Sequence, residues 1–188
     1  MKLLRPLLHA TLWLALPFAA LAVPQPVILD AARSTIAIDV KATVDSFTAQ
    51  VPVTDVALLV DPAALENTKV RAVFQFIDVK TGKPDRDEAM HVWQDTKKFP
   101  TVIFDLKLLT PQTDGTLLAT ADFTLHGQTK RLTFPVKLTQ ADGTCQADGE
   151  AVIDTRDYGL PVIRKFALLK VAPELRVRFH LVGRINGV

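Results

Sequence analysis

Cysteine is nearly missing from this chain of 188 residues: Cys145 is the only one. No internal disulfide can form, so the fold must be held by its own core, and a chain of this size can bury one. Cys145 stands between Asp142-Gly143 and Asp148-Gly149, two pairs with turn chemistry. That placement predicts an exposed thiol at a hairpin end. In an oxidising compartment such a thiol could join two chains; a dimer is therefore open, and nothing else in the sequence sets an oligomeric state.

Catalytic chemistry is scarce as well. The serines are Ser34 and Ser46, and neither sits in a G-x-S-x-G elbow. The histidines beyond the N-terminal segment, His91, His126 and His180, show no metal-ligand spacing. Glycine is confined to turns, so no phosphate-cradling loop is present. Asp85, Asp87 and Glu88 form an acidic run, but at the start of a helical segment the helix dipole accounts for them. These gaps predict no catalytic residue, no metal site and no cofactor: a binding module, not an enzyme. Net charge is also small. Of 22 Lys and Arg, Lys2 and Arg5 belong to the leader, which leaves the rest balanced against 20 Asp and Glu. A neutral domain without a basic cluster has no footprint for nucleic acid or for an anionic membrane surface.

Hydrophobic runs long enough to span a bilayer are missing too. The apolar run Leu7–Leu21 is interrupted by His9, Thr11 and Pro17, follows Lys2 and Arg5, and ends in Ala20-Leu21-Ala22. This is the pattern of a cleavable signal peptide. Residues 1–22 are expected to be removed on export from a bacterial cytoplasm, leaving residues 23–188 as a periplasmic domain. No cysteine follows the cleavage point, so no stable membrane anchor is expected.

What is abundant is alternation of period two, which puts one apolar face on each strand. It runs through Ile36, Ile38, Val40, Ala42 and Val44, then through Val51, Val53, Val56, Leu58 and Val60 with a phase slip near Asp55. The slip reads as a bulge within one strand. Further strands follow at Val70–Phe76, Val102–Leu108, Leu117–Leu125, Leu132–Leu138 and, more weakly, Gly149–Thr155. Leu175–Leu181 closes the set, with Arg176, Arg178 and His180 on its other face. Asp114-Gly115, His126-Gly127 and Asp142-Gly143 supply short turns, so successive strands pair antiparallel. One segment departs: Asp85–Gln94, after Pro84, is rich in helix formers and predicts a short helix with Met90 and Trp93 on one face, covering an end of the sheet.

Eight one-sided strands bury their faces by closing into a barrel or by packing on a second sheet. An eight-stranded barrel is either filled or able to hold one small ligand. The apolar faces and the helix supply the candidate ligand-contacting set: Phe74, Phe76, Met90, Trp93, Phe104, Leu106, Phe123, Leu125, Phe134, Val136 and Phe179. The strand aromatics serve equally as core filler, and the sequence leaves that choice open.

Four segments, in order, resemble the YceI-like family of periplasmic lipocalin-like proteins. They are Leu29-Asp30-Ala31-Ala32-Arg33-Ser34-Thr35-Ile36; Arg86-Asp87-Glu88-Ala89-Met90 with Lys98-Phe99-Pro100-Thr101-Val102-Ile103-Phe104; Phe123 to Val136 around His126-Gly127; and Ile153-Asp154-Thr155-Arg156-Asp157-Tyr158-Gly159-Leu160. The resemblance implies an all-β, antiparallel, eight-stranded lipocalin-like barrel with one short helix, enclosing a long apolar pocket for a polyisoprenoid or another long-chain lipid. The alternative is a stress-related structural or interaction protein with a filled barrel and no ligand; an enzyme acting on lipids would need a polar cluster inside. The chain departs from the family where Asp45-Ser46-Phe47 replaces a glycine–phenylalanine turn, and where Gln94-Asp95-Thr96 replaces an aromatic pair. Those departures predict a changed pocket mouth. Arg86, Asp87, Arg156 and Asp157 read as loop-fixing ion pairs, with a role at a lipid head group as the sharper alternative.

Overall fold

In the computed structural model, residues 24–53, 56–61, 63–165 and 169–185 are described. The expected leader lies outside them. The elements, in order, are β1 (Gln25–Leu29), β2 (Thr35–Ala42), β3 (Phe47–Val51), β4 (Val56–Val60), β5 (Lys69–Gln75), α1 (Pro84–Gln94), β6 (Thr101–Pro111), β7 (Leu117–Leu125), β8 (Gln128–Ala141), β9 (Thr144–Asp154), β10 (Arg164–Lys165) and β11 (Leu169–Ile185).

The pairing is antiparallel throughout, and it closes on itself. From β4 the order runs through β5, β6, β7, β8 and β9 to β11, and β1 pairs with both β11 and β4. The long last strand holds two partners in succession on one edge: Val27 faces Ile185 in β1, and Ile36 faces Phe179 in β2. Between them the chain bends at Asp30, whose Oδ1 accepts from the N–H groups of Ala32 and Arg33. β1 and β2 are thus one bent stave. β3 and β4 are the next, β3 pairing with β2 and β4 with β1 and β5. Counted this way the barrel has the eight staves that alternation predicts.

Turn chemistry places the hairpins where expected. His126 and Gly127 both have positive φ (49° and 69°), as a two-residue turn of this hand requires. A Cβ on Gly127 would lie 2.8 Å from the Phe99 ring, so close packing also excludes a side chain there. Helix α1 begins with Pro84 in its first turn, carries Asp85 and Asp87 there, and ends on Asp95 in the left-handed region (φ 52°).

Three expectations are corrected, and one strand is added. The phase slip near Asp55 is not a bulge inside one strand: β3 and β4 have different partners, and the slip marks the change of partner. Asp55 itself lies outside the described residues. Pro-flanked β1 carried no clear alternation and went unread. In β6 a register shift between Leu106 and Leu108 turns Leu108 out to solvent (56% exposed) and brings Leu109 in. Finally, Asp148-Gly149 is not a turn. It lies inside β9, where Gly149 faces Phe179 across the ladder, and a Cβ on it would lie 2.4 Å from that ring. Gly149 is small because an aromatic ring occupies its side-chain space.

Candidate functional site

Inward positions of the staves enclose a lumen instead of filling it. The interior cavity measures about 200 Å³. Its walls are apolar almost throughout. Apolar cavities on the order of 150 Å³ stay dry and admit apolar guests, so a lumen of this kind is a place for hydrocarbon.

Nine of the candidate residues line it: Phe74, Phe76, Phe104, Leu106, Phe123, Leu125, Phe134, Val136 and Phe179. Their rings interlock along the wall. Phe104 and Phe134 lie 6.1 Å apart between centroids, and Phe134 and Phe179 meet edge to face at 6.0 Å. Phe123 meets Tyr158 in the same way at 5.8 Å.

Met90 and Trp93 stand elsewhere. They line a second, wider space of about 920 Å³ at one end of the barrel. This vestibule is walled by β2, β3, α1, residues 161–164 and the start of β11. Ile38, Phe76, Val79, Leu125 and Leu175 border both spaces, so the vestibule and the lumen share a neck of apolar side chains. Met90 packs on two clusters at that neck, one around Phe76 and Leu125, the other around Val51 and Val79. Trp93 donates from Nε1 to the Pro161 carbonyl (2.8 Å), which ties α1 to the far rim.

The vestibule rim carries charge where the lumen carries none. Asp45 accepts from Lys83 Nζ (3.0 Å) and Arg86 Nη2 (2.7 Å), joining the β2–β3 loop to the start of α1. Lys83, then Arg86, hold the Asp45 carboxyl below its ordinary range. The Arg86 guanidinium also lies 4.0 Å from the centre of the Phe47 ring. Asp45 and Phe47 therefore stand at the mouth and clasp it. Gln94-Asp95-Thr96 stands away from it: Gln94 is fully buried, Asp95 caps the helix, and Thr96 Oγ1 donates to the His91 carbonyl. None of the three lines either space.

The other paired motif residues fix loops with partners other than their sequence neighbours. Asp87 accepts from the N–H and hydroxyl of Thr81, and these bonds outweigh the opposing effect of burial to lower its pKa. Arg156 pairs with Asp154 and Glu174, and its bond holds the Asp154 carboxyl low.

Sequence reasoning missed the far end of the lumen. Cys145 is buried (8% exposed) in β9 and lines the cavity beside the Val27, Leu58, Val60 and Ile185 cluster. The expected exposed thiol is corrected: only one of its flanking Asp-Gly pairs is a turn, and burial pushes the thiol pKa up. A buried thiol is not placed to join two chains. Thr68 also lines this end. Extending the β5 alternation one step back from Val70 would have found it.

Among the described residues no group of three His, Cys, Asp or Glu converges to hold a metal ion, and no helix is long and apolar enough to cross a membrane.

Residues 28–183 match the YceI-like domain family. The chain belongs to the YceI-like family. Solved structures carry the same barrel at low identity. BcnA of Burkholderia cenocepacia superposes with a TM-score of 0.73 at 20% identity, over 82% of this chain and 99% of that one. A polyisoprenoid binding domain from Saccharophagus degradans, implicated in plant cell wall breakdown, gives 0.62 at 17% identity, over 87% and 99%. The Campylobacter jejuni YceI protein gives 0.54 at 15% identity, over 93% and 97%. No curated protein matches the chain. The YceI-like barrel expected from four sequence segments is thus the fold this chain has.

Proposed function

We propose that this YceI-like protein is a periplasmic carrier of a long-chain, isoprenoid-like lipid, with the chain in the lumen and the head group in the vestibule. The carrying observation is an apolar lumen that abuts the vestibule, with five apolar residues bordering both spaces. The printed description of the Saccharophagus degradans neighbour as a polyisoprenoid binding domain supports the ligand class. The lumen holds part of a chain, and the vestibule falls within the range of about 300–1,000 Å³ typical of small-molecule pockets. Lys83 and Arg86 at the rim suit an anionic head.

An unfilled lumen favours a guest on energetic grounds. At roughly 24 cal/mol per Å³, a void of this size forgoes contacts on the order of 5 kcal/mol. A filled-barrel protein would have no such void.

The test is solvent extraction of protein purified from its exporting host, with mass spectrometry of the extract, and titration of stripped protein with a polyprenyl phosphate. Trp93, the one tryptophan beyond the leader, reports the titration by fluorescence. An isoprenoid in the extract and saturable quenching are expected. Preparations that never carry a lipid, with flat Trp93 emission, would sink the reading.

A further inference from the structure

The inward register of β5 continues back past Val70 to Thr68, which ends the lumen opposite the vestibule. Thr68 is 4% exposed, and its hydroxyl has no hydrogen-bond partner. Its backbone N–H is spent on the Leu65 carbonyl, so the side chain does not serve the local turn. Valine has the same shape and would sit in this apolar setting without an unmet polar group. Thr68 lines the lumen while its hydroxyl is closed off within the wall, and a turn about the Cα–Cβ bond exchanges hydroxyl and methyl and offers the unpartnered hydroxyl to a guest.

The charge around it limits that partner. The three arginines of β11 are exposed, away from the lumen: Arg176 pairs with Glu150, Arg178 with Asp39, and Arg184, nearest the far end, lies on the same outward register. Cys145, at the same end, is kept neutral by burial. Among the described residues no Lys, Arg or His lines the lumen, and an unpaired buried charge is not tolerated. From this we infer that the far end of the lumen recognises a neutral hydrogen-bonding group, a hydroxyl or a carbonyl, on the end of the ligand chain that enters first, with Thr68 as its partner. The inference rests on the carrier reading above. Two kinds of ligand meet it: a chain with an anionic head at the mouth and a hydroxylated far end, or a neutral amphiphile that enters head first.

From Thr68 to Phe74 the strand rises about 20 Å, roughly the extended length of a sixteen-carbon chain. Hexadecanoic acid, 16-hydroxyhexadecanoic acid and hexadecan-1-ol are therefore the probes. Each is titrated into lipid-stripped wild type and into Thr68→Val, Thr68→Ala and Thr68→Ser, followed by Trp93 fluorescence. One neutral hydrogen bond is worth about five- to tenfold in affinity. The affinity of a hydroxylated probe relative to hexadecanoic acid should fall by that factor in both Thr68→Val and Thr68→Ala, and Thr68→Ser should keep it. Loss confined to the hydroxy acid assigns the tail-end hydroxyl; loss confined to hexadecan-1-ol assigns head-first entry. Ratios unchanged by Thr68→Val and Thr68→Ala, with hexadecanoic acid still bound, overturn this inference alone. If wild type binds none of the three, the carrier reading and this inference fall together.

Discussion

Single polar residues in this barrel divide by face: outer ones are paired, and a few inner ones are bare. Asp39 belongs to the first group. Arg178 donates to it through Nε (2.6 Å), with Thr48 as a further donor, and these bonds hold its carboxyl at about 2. The folded pKa lies below the unfolded one, so the pair's stabilisation is present above pH about 4 and is lost as pH falls toward 2. The pair is partly exposed, so the amount is at most about 1 kcal/mol. Urea midpoints of Asp39→Asn should therefore fall below those of wild type at pH 6 and converge with them near pH 2. Tyr158 belongs to the second group. It is 1% exposed, its hydroxyl has no partner, and burial, with Asp157 second, pushes it up to about 12. Here the folded pKa lies above the unfolded one, so stability falls as pH rises from 10 through 12. Tyr158→Phe should be as stable as wild type at pH 7 or up to about 1 kcal/mol more, since it removes an unmet hydroxyl and keeps the ring. It should also flatten the alkaline decline. Tyr158 is the chain's one tyrosine, so phenolate absorbance reads its titration directly. Alternation made the nine apolar wall residues legible in the sequence. It left out Thr68 and Cys145, because neither residue type marks a strand face until the register of its apolar neighbours is extended to it.

Among elements, the helix and the His126-Gly127 hairpin were legible because local chemistry alone decides them: a proline start with acidic first turn, and a turn needing positive φ. The β3–β4 break was not, since only long-range partners distinguish a bulge from a change of partner. Cys145 was misplaced for the same reason, Gly149 being explained by Phe179 from a strand distant in sequence. The clasp of Asp45 with Lys83 and Arg86 shows what such elements do together. It joins the β2–β3 loop to α1 across the vestibule, while Trp93 joins the other end of α1 to Pro161. Asp45 and Lys83 are more than half exposed, and Arg86, mostly buried, keeps its contact with Phe47 whether or not Asp45 is charged, so the Asp45 pairs guard the mouth with little support to the barrel. Asp45→Asn should leave the thermal midpoint within about 2 °C of wild type, as an exposed pair implies, yet speed release of a bound chain. Stopped-flow exchange of a fluorescent fatty acid should show release a few-fold faster in the variant. It should also accelerate with added salt in wild type more than in Asp45→Asn.

For the molecule as a whole, closure of the ring and emptiness of its centre pose one question: whether the aromatic wall supports the fold or shapes the space. Phe104 decides it. Its ring lies against Phe134 on one side and borders the lumen on the other. In a packed core, Phe→Ala costs about 3–5 kcal/mol, because the new void adds to the lost burial. A wall ring already lacks neighbours on its inner side, and contacts it never made cannot be lost. Phe104→Ala should therefore cost stripped protein less, about 2 kcal/mol, measured by urea denaturation. The same change widens the lumen beside Phe134 and Leu106. Bulky branched chains should then gain affinity relative to slender ones, and saturating the variant with a polyprenyl ligand should restore more of its thermal midpoint than the same ligand adds to wild type. A full core penalty with no shift in ligand preference would mean that Phe104 holds the barrel together and that the cargo never reaches it.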